Sequence, residues 1–147
     1  MNLFRVLEIS GSALLAERQR AEIVTSNLAN AETTHTSNGG PYQRMEVVFG
    51  AHNMSQREFP ATLASFTDMH AEGVQVSRVV PDGADPVRRF EPGHPDADAE
   101  GYVSYPAINP VEEMVNLMGA ARAYQLNAAA VQSTKNMIQS SIDIIKS

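Results

Sequence analysis

Apolar positions fall at helical intervals at both ends of the chain and at strand-like intervals between them. Over the first thirty residues Leu3, Leu7, Ser10, Leu14, Glu17, Ala21, Val24, Leu28 and Ala31 keep a 4-3-4-3 spacing, while Arg5, Glu8, Arg18, Arg20 and Glu22 lie mostly off that line. The spacing predicts an amphipathic helix from about Asn2 to Asn30. Gly11 inside it costs about 1 kcal/mol relative to alanine.

The last quarter carries the longer pattern. Met114, Ala121, Ala128, Lys135 and Ile142 fall seven apart, as do Leu117, Tyr124, Val131, Ile138 and Ile145, and Lys135 is the one charged member. Such a heptad seam predicts a helix docked lengthwise on another helix. Asn109 is placed to cap it, Pro110 sits where a missing N–H costs nothing, and Glu112 can reach back as in a capping box. From Asn109 to Ile145 the helix would be roughly 54 Å long. The small residues Gly119, Ala120, Ala123, Ala129 and Ala130 flank the seam, so more than one neighbour could approach closely. A two-helix hairpin core and a helix shared among several chains both satisfy this pattern. Lys135 either snorkels to solvent or pairs with Glu17.

Between the helices, residues 31–40 are rich in hydroxyl and amide side chains and end in Gly39-Gly40, which reads as a loop. Strands are expected over Tyr42–Phe49, Gly73–Val80, Val87–Phe90 and Gly101–Tyr105, with turn formers from Pro81 to Pro95. Residues 50–72 carry no usable pattern, and the Asn53-Met54-Ser55 sequon means little without a secretory signal. The expected fold is mainly α with a small β insertion: an N-terminal helical segment over 1–31, a loop and small β-rich region over 32–108, and a C-terminal helical segment over 109–147. The two long helices would pack as a coiled-coil-like pair, antiparallel if the insertion acts as a simple turnaround, with the strand-and-turn region between them in sequence.

Composition narrows the function. With 43% apolar and 6% aromatic residues and no Trp, a large compact core is poorly supplied. The 17 acidic against 11 basic residues give a net charge of −6, which disfavours a phosphate backbone, so no nucleic-acid partner is expected. Cysteine is absent, which removes disulfides, thiolate metal ligands and a Cys nucleophile. A basic n-region with an apolar run and cleavage site is not apparent, and no window approaches 18 apolar residues. Neither cleaved Sec-type export nor membrane spanning is therefore expected.

Few residues suggest chemistry. Asp96, Asp98, Glu100 and Gly101 match the first half of a calcium loop, but Ala107 stands where the closing Glu belongs, and a solvated acidic turn is the simpler reading. His35, His52, His70 and His94 show no metal-ligand spacing, and no nucleophile elbow, phosphate loop or dinucleotide fingerprint occurs. The chain is thus read as a non-enzyme with no cofactor, no metal site and no small-molecule substrate. Asn27 and Asn30, poor helix-interior residues three apart, either end the first helix or hydrogen-bond a neighbouring helix or backbone.

Several stretches together resemble a known family. Ser26-Asn27-Leu28-Ala29-Asn30-Ala31-Glu32-Thr33-Thr34, Gly39-Gly40-Pro41-Tyr42, His94-Pro95-Asp96-Ala97-Asp98 with Gly101-Tyr102-Val103, Glu113-Met114-Val115 and Ala121-Arg122-Ala123-Tyr124-Gln125 before Asn127 are similar to the rod, hook and hook-associated axial proteins of the bacterial flagellum. The likeness covers residues 1–49 and 91–147 and is loose elsewhere; Glu32 and Ala107-Ile108 depart from the pattern. The resemblance implies a structural subunit of the proximal rod of the basal body, exported unfolded by the flagellar type III apparatus without signal cleavage and assembled in the periplasm into a torque-transmitting shaft. It implies self-association in a helical rod, with other proximal and distal rod proteins and the rod-base adaptor to the membrane ring as partners. Folding would then be coupled to association. The expected assembly interface comprises Leu14, Ala21, Val24, Asn27, Leu28 and Asn30 on the first helix, and Met114, Leu117, Ala121, Tyr124, Ala128, Val131, Ile138 and Ile142 on the last. A cytoplasmic coiled-coil adaptor binding one helical partner is the alternative.

Overall fold

A computed structural model describes residues 3–53 and 72–146. The residue 54–71 stretch, including His70 and the Met54-Ser55 part of the sequon, lies outside the described residues, as do Met1, Asn2 and Ser147. The elements follow the order α1 (Leu3–Ala29), β1 (Met45–Asn53), β2 (Glu72–Pro81), β3 (Val87–Phe90), β4 (Tyr102–Tyr105) and α2 (Pro110–Lys146). Two long helices therefore flank a small β region in sequence, as the patterning predicts. No helix among the described residues is long and apolar enough to cross a membrane.

The helix ends follow from their side chains. At the end of α1 the Asn30 Nδ2 donates to the Ser26 carbonyl at 2.9 Å, and Thr33 Oγ1 donates to Asn30 Oδ1 at 3.1 Å, so polar side chains take over from the ladder. Gly39 and Gly40 then adopt positive φ in a turn closed by Thr36 N–H on the Gly40 carbonyl. At the start of α2 the Val111 N–H donates to Asn109 Oδ1 at 3.0 Å, a side-chain N-cap. The reciprocal capping-box bond from Glu112 is not formed among the described residues; Glu112 is exposed and Glu113 turns inward instead. Glu112 and Glu113 in the first turn and Lys146 in the last complement the helix dipole.

The strands form two separate two-stranded ribbons, β1 with β2 and β3 with β4. In the second the antiparallel register pairs Val87 with Tyr105, Arg88 with Ser104, Arg89 with Val103 and Phe90 with Tyr102. Packing divides the chain into two units, each drawing on both helices. One holds the described parts of Met1–Gln19, Phe49–Ser77 and Ala121–Ser147, with Ser10, Ala16, Gly73 and Thr134 buried. Within it Ser12 Oγ accepts the Val74 N–H at 3.1 Å and donates to the Ile9 carbonyl at 2.7 Å. The other holds Arg20–Val48 and Arg78–Ala120, with Val24, Val103, Tyr105, Pro106 and Ala120 buried and Asn27 and Glu113 buried beside them.

The apolar heptad line of α2 is not the line that the chain buries. Met114, Ala121, Tyr124, Ala128, Lys135, Ile142 and Ile145 are exposed, and Leu117, Val131 and Ile138 are half-buried. The covered line starts one residue earlier: Glu113, Ala120 and Thr134 are buried, with Asn116, Ala123, Asn127 and Ala130 half-buried between them. One residue is about 100° of helix rotation, so the expected seam and the covered line are different faces. Read as a two-helix hairpin core, the heptad would put the largest apolar side chains in the chain's own interior, whereas here small and polar ones occupy it. On α1 the expected line lies on the covered side, with Ser10 and Val24 buried and Leu3, Leu7, Leu14, Glu17, Ala21 and Leu28 half-buried.

Candidate assembly interface

The last turn of α1, the start of β1 and the first turn of α2 meet at a buried polar cluster. Asn27 is 1% exposed and uses its whole carboxamide. Its Nδ2 donates to the Met45 carbonyl at 2.8 Å and to Glu113 Oε2 at 3.2 Å, while Oδ1 accepts the Met45 N–H at 2.9 Å and the Tyr42 hydroxyl at 3.1 Å. Two donor hydrogens and two lone pairs are thereby matched, the full capacity of the group. The side chain addresses both the N–H and the C=O of Met45, the pairing that a neighbouring strand would otherwise supply.

Arg44, one residue earlier on the approach to β1, completes the cluster. Its Nε and Nη2 donate to Glu113 Oε1 at 2.9 and 2.8 Å, and its Nη1 reaches Glu46 Oε1 at 2.6 Å and Asp82 Oδ2 at 3.5 Å. The Asp82 N–H returns to the Arg44 carbonyl at 3.0 Å. Burial is the largest influence on the guanidinium and opposes its charge. Hydrogen bonds and charge from Glu113 and Glu46 outweigh it and hold Arg44 above the ordinary arginine range. Glu113 is as buried as Asn27, and a carboxylate in that position requires such partners.

The acidic stretch between β3 and β4 is a hairpin loop organised by Asp98. Its Oδ1 accepts the N–H groups of Tyr102 at 2.7 Å and Glu100 at 3.1 Å, and its Oδ2 takes the Arg88 guanidinium. These bonds, the Tyr102 amide foremost, hold the Asp98 carboxyl below its ordinary range. Arg88 lies over the Tyr102 ring at 4.9 Å, Arg89 over the Tyr105 ring at 4.6 Å, and Phe90 meets Tyr102 edge-on. The Tyr105 hydroxyl donates to Glu91 Oε2 at 2.9 Å, and that bond raises its pKa. Asp96 accepts from Thr34 Oγ1 at 2.7 Å, joining the loop after α1 to the hairpin. Two of the three carboxylates that match half a calcium loop, Asp96 and Asp98, are thus engaged by a hydroxyl, amides and a guanidinium.

The residues expected at the interface separate into two groups. Asn27 and Asn30 use their side chains inside the chain, the first in the polar cluster and the second at the helix end; both readings of the pair are realised, one by each residue. Val24 is buried, and Leu14, Ala21 and Leu28 are half-buried. On α2, Met114, Ala121, Tyr124, Ala128 and Ile142 face outward, accompanied by Val111, Val115, Met118, Leu126, Met137, Ile144 and Ile145, while Leu117, Val131 and Ile138 are half-buried. Lys135 lies at the surface, as the snorkelling reading has it. Sequence reasoning passes over Arg44 and Glu113. The available signal is that Glu113 heads a second seven-residue line, Ala120, Asn127 and Thr134, too small and polar to register as a seam.

Comparison with known proteins accounts for both ends of the chain. Residues 7–34 match the family described as flagella basal body rod protein, and residues 99–144 match the C-terminal family of the flagellar basal body rod FlgEFG proteins. The flagellar basal-body rod protein FlgC of Bacillus subtilis strain 168 is 37% identical, over 99% of this chain and 100% of that protein. The protein of the same name from Escherichia coli O6:H1 is 38% identical over 94% of each chain, and that from Borreliella burgdorferi 32% identical over 99% of each. With such likeness over almost the whole length, the chain belongs to the FlgC family of flagellar basal-body rod proteins, as a structural subunit of the rod and not an enzyme.

Proposed function

We propose that this subunit builds the proximal part of the rod by helical self-association through its terminal helices, and that the outward apolar line of α2 is the surface on which its neighbours pack. The observation that carries the reading is the exposure of Met114, Tyr124 and Ile142, at 46, 44 and 39%, on a helix whose covered line is small and polar. Exposed apolar runs of this extent mark protein–protein contact. Neighbours would be further copies, the other proximal and distal rod proteins and the rod-base adaptor to the membrane ring. The expectations of type III export without signal cleavage and of a periplasmic position for the rod rest on membership of the family. Residues 139–146 of α2 are exposed, so neighbouring chains in the rod would add packing to that end of the helix. This is the local form of folding coupled to assembly.

The test is Ala121→Glu, introduced singly and with Tyr124→Glu. Both positions are exposed, so the isolated chain should unfold at the wild-type urea concentration. Cells carrying only the variant should export the chain but lack motility and yield no rod-containing basal bodies. Full motility in the double variant would refute the assignment of this face.

A further inference from the structure

The cluster of Asn27, Arg44 and Glu113 presents a problem if its role is stability. A buried ion pair gives little net stabilisation over apolar groups of the same volume, whereas removing one partner is strongly unfavourable. What such a group does well is discriminate between alignments, because one arrangement satisfies it and the others strand a charge. We propose that the cluster is a register lock: it selects one alignment of the end of α1, the start of β1 and the first turns of α2. The buried apolar side chains that the two helices contribute to this unit, Val24 and Ala120, are small and penalise a shift weakly.

The geometry makes the selection sharp. Moving β1 by one residue sends Arg44 to the opposite face of the strand and withdraws the Met45 N–H and C=O from Asn27. Moving α2 by one turn replaces Glu113 with Asn116 or Leu117, either of which leaves the Arg44 Nε and Nη2 without their carboxylate, and Leu117 would also leave one Asn27 hydrogen without an acceptor. Only the observed alignment both fills all four hydrogen-bonding positions of Asn27 and gives Arg44 its buried carboxylate. The same alignment sets the direction in which Met114, one residue after Glu113, points outward. The link from register to rod assembly rests on the function proposed above; the register itself does not.

Glu113→Leu and the double substitution Glu113→Leu with Arg44→Met separate the two roles in the full chain. The single variant strands Arg44 and should lose its cooperative unfolding transition. The double variant removes both charges while keeping the volume filled, and should unfold cooperatively at a denaturant concentration at or above wild type. Its amide NMR signals for residues 24–30 and 42–47 should nevertheless appear in more than one set, where wild type gives one. In cells it should be exported yet be absent from purified basal bodies. A double variant with one signal set at wild-type positions would overturn the proposal, because the register would then form without the lock. A double variant that is unfolded throughout would overturn it too, since the cluster would be a plain source of stability. If the wild-type chain were itself missing from basal bodies, the proposed function would fail while the NMR comparison still decided the register.

Discussion

At Asn27 an amino acid that disfavours helix interiors sits in the last turn of α1, and the four bonds it makes outweigh its propensity cost of less than about 1 kcal/mol. Asn27→Ala leaves the Met45 N–H and C=O without their side-chain partner and should lower stability by about 2 kcal/mol in urea unfolding. Asn27→Asp should cost more, about 3 kcal/mol, because it loses the donor hydrogens and sets a second carboxylate against buried Glu113; equal losses in the two variants would argue against this pairing. Gly101 is constrained by space as well as conformation. Its φ is +84°, and a Cβ there would lie 3.0 Å from Phe90 Cε2 and 3.1 Å from Pro92 Cβ. Gly101→Ala should therefore loosen the β3–β4 hairpin by about 1–3 kcal/mol. Asp98 makes the same hairpin acid-sensitive. Its carboxyl lies below the ordinary 3.8, so the unfolded chain takes up the proton more readily than the folded one. The stabilisation is complete above the unfolded value and is lost as pH falls through the depressed folded value. Asp98→Asn should remove that acid-dependent part, read from the Tyr102 amide signal in an acid titration. Loosening of the variant over the wild-type pH range would assign the effect to another group.

Among elements, the helices and the β3–β4 ribbon are legible in the sequence because their signals are local. Asn109-Pro110 marks the start of α2 to within a residue, and the alternation at Tyr102–Tyr105 after the turn-rich segment marks β4. The face that α2 covers is less legible, whereas the line read on α1 lies on its covered side. On α2 a rule that turns large apolar residues inward selects Met114 and Tyr124, although the chain covers Ala120 and Thr134. The polar cluster is hidden for a different reason. Asn27 and Glu113 stand 86 positions apart, and nothing near either residue in sequence announces the other. Glycines in the helices extend the element-scale argument. A Cβ at Gly11 or Gly119 would meet nothing within 4 Å, and neither has positive φ. Alanine at either position should therefore stabilise the isolated chain by up to about 1 kcal/mol. Gly119→Leu should be equally harmless to the isolated chain, whereas it should reduce motility if a neighbouring helix approaches that flank closely. Unchanged motility with Gly119→Leu would show that the flank stays open in the rod.

For the whole molecule, the function proposed above makes the offset between two seven-residue lines on α2 the feature that would separate the fold of one chain from the assembly of many. A single-purpose helix would turn its apolar line inward and leave a polar surface. Here the inward line of Glu113, Ala120, Asn127 and Thr134 is small and polar, and the line of Met114, Ala121, Ala128 and Ile142 is exposed. A rod subunit has to hold its shape and still offer apolar surface to neighbours, and two lines on one helix meet both requirements. The consequence is that adjacent residues should respond to the same substitution in opposite ways. Ala120 is fully buried, so Ala120→Leu overpacks its site and should lower the stability of the isolated chain by about 1–3 kcal/mol. Ala121 is exposed, so Ala121→Leu should change that stability by no more than about 0.5 kcal/mol. In the rod the order reverses in kind: Ala121→Leu meets a neighbouring chain and should impair incorporation into basal bodies at unchanged monomer stability, while Ala120→Leu acts only through the fold. Urea unfolding of the two purified chains, set beside the subunit content of basal bodies from cells carrying each variant, measures both effects. If the two variants lose stability alike, α2 does not carry separate inward and outward lines, and the surface proposed for assembly would have to be sought elsewhere on the molecule.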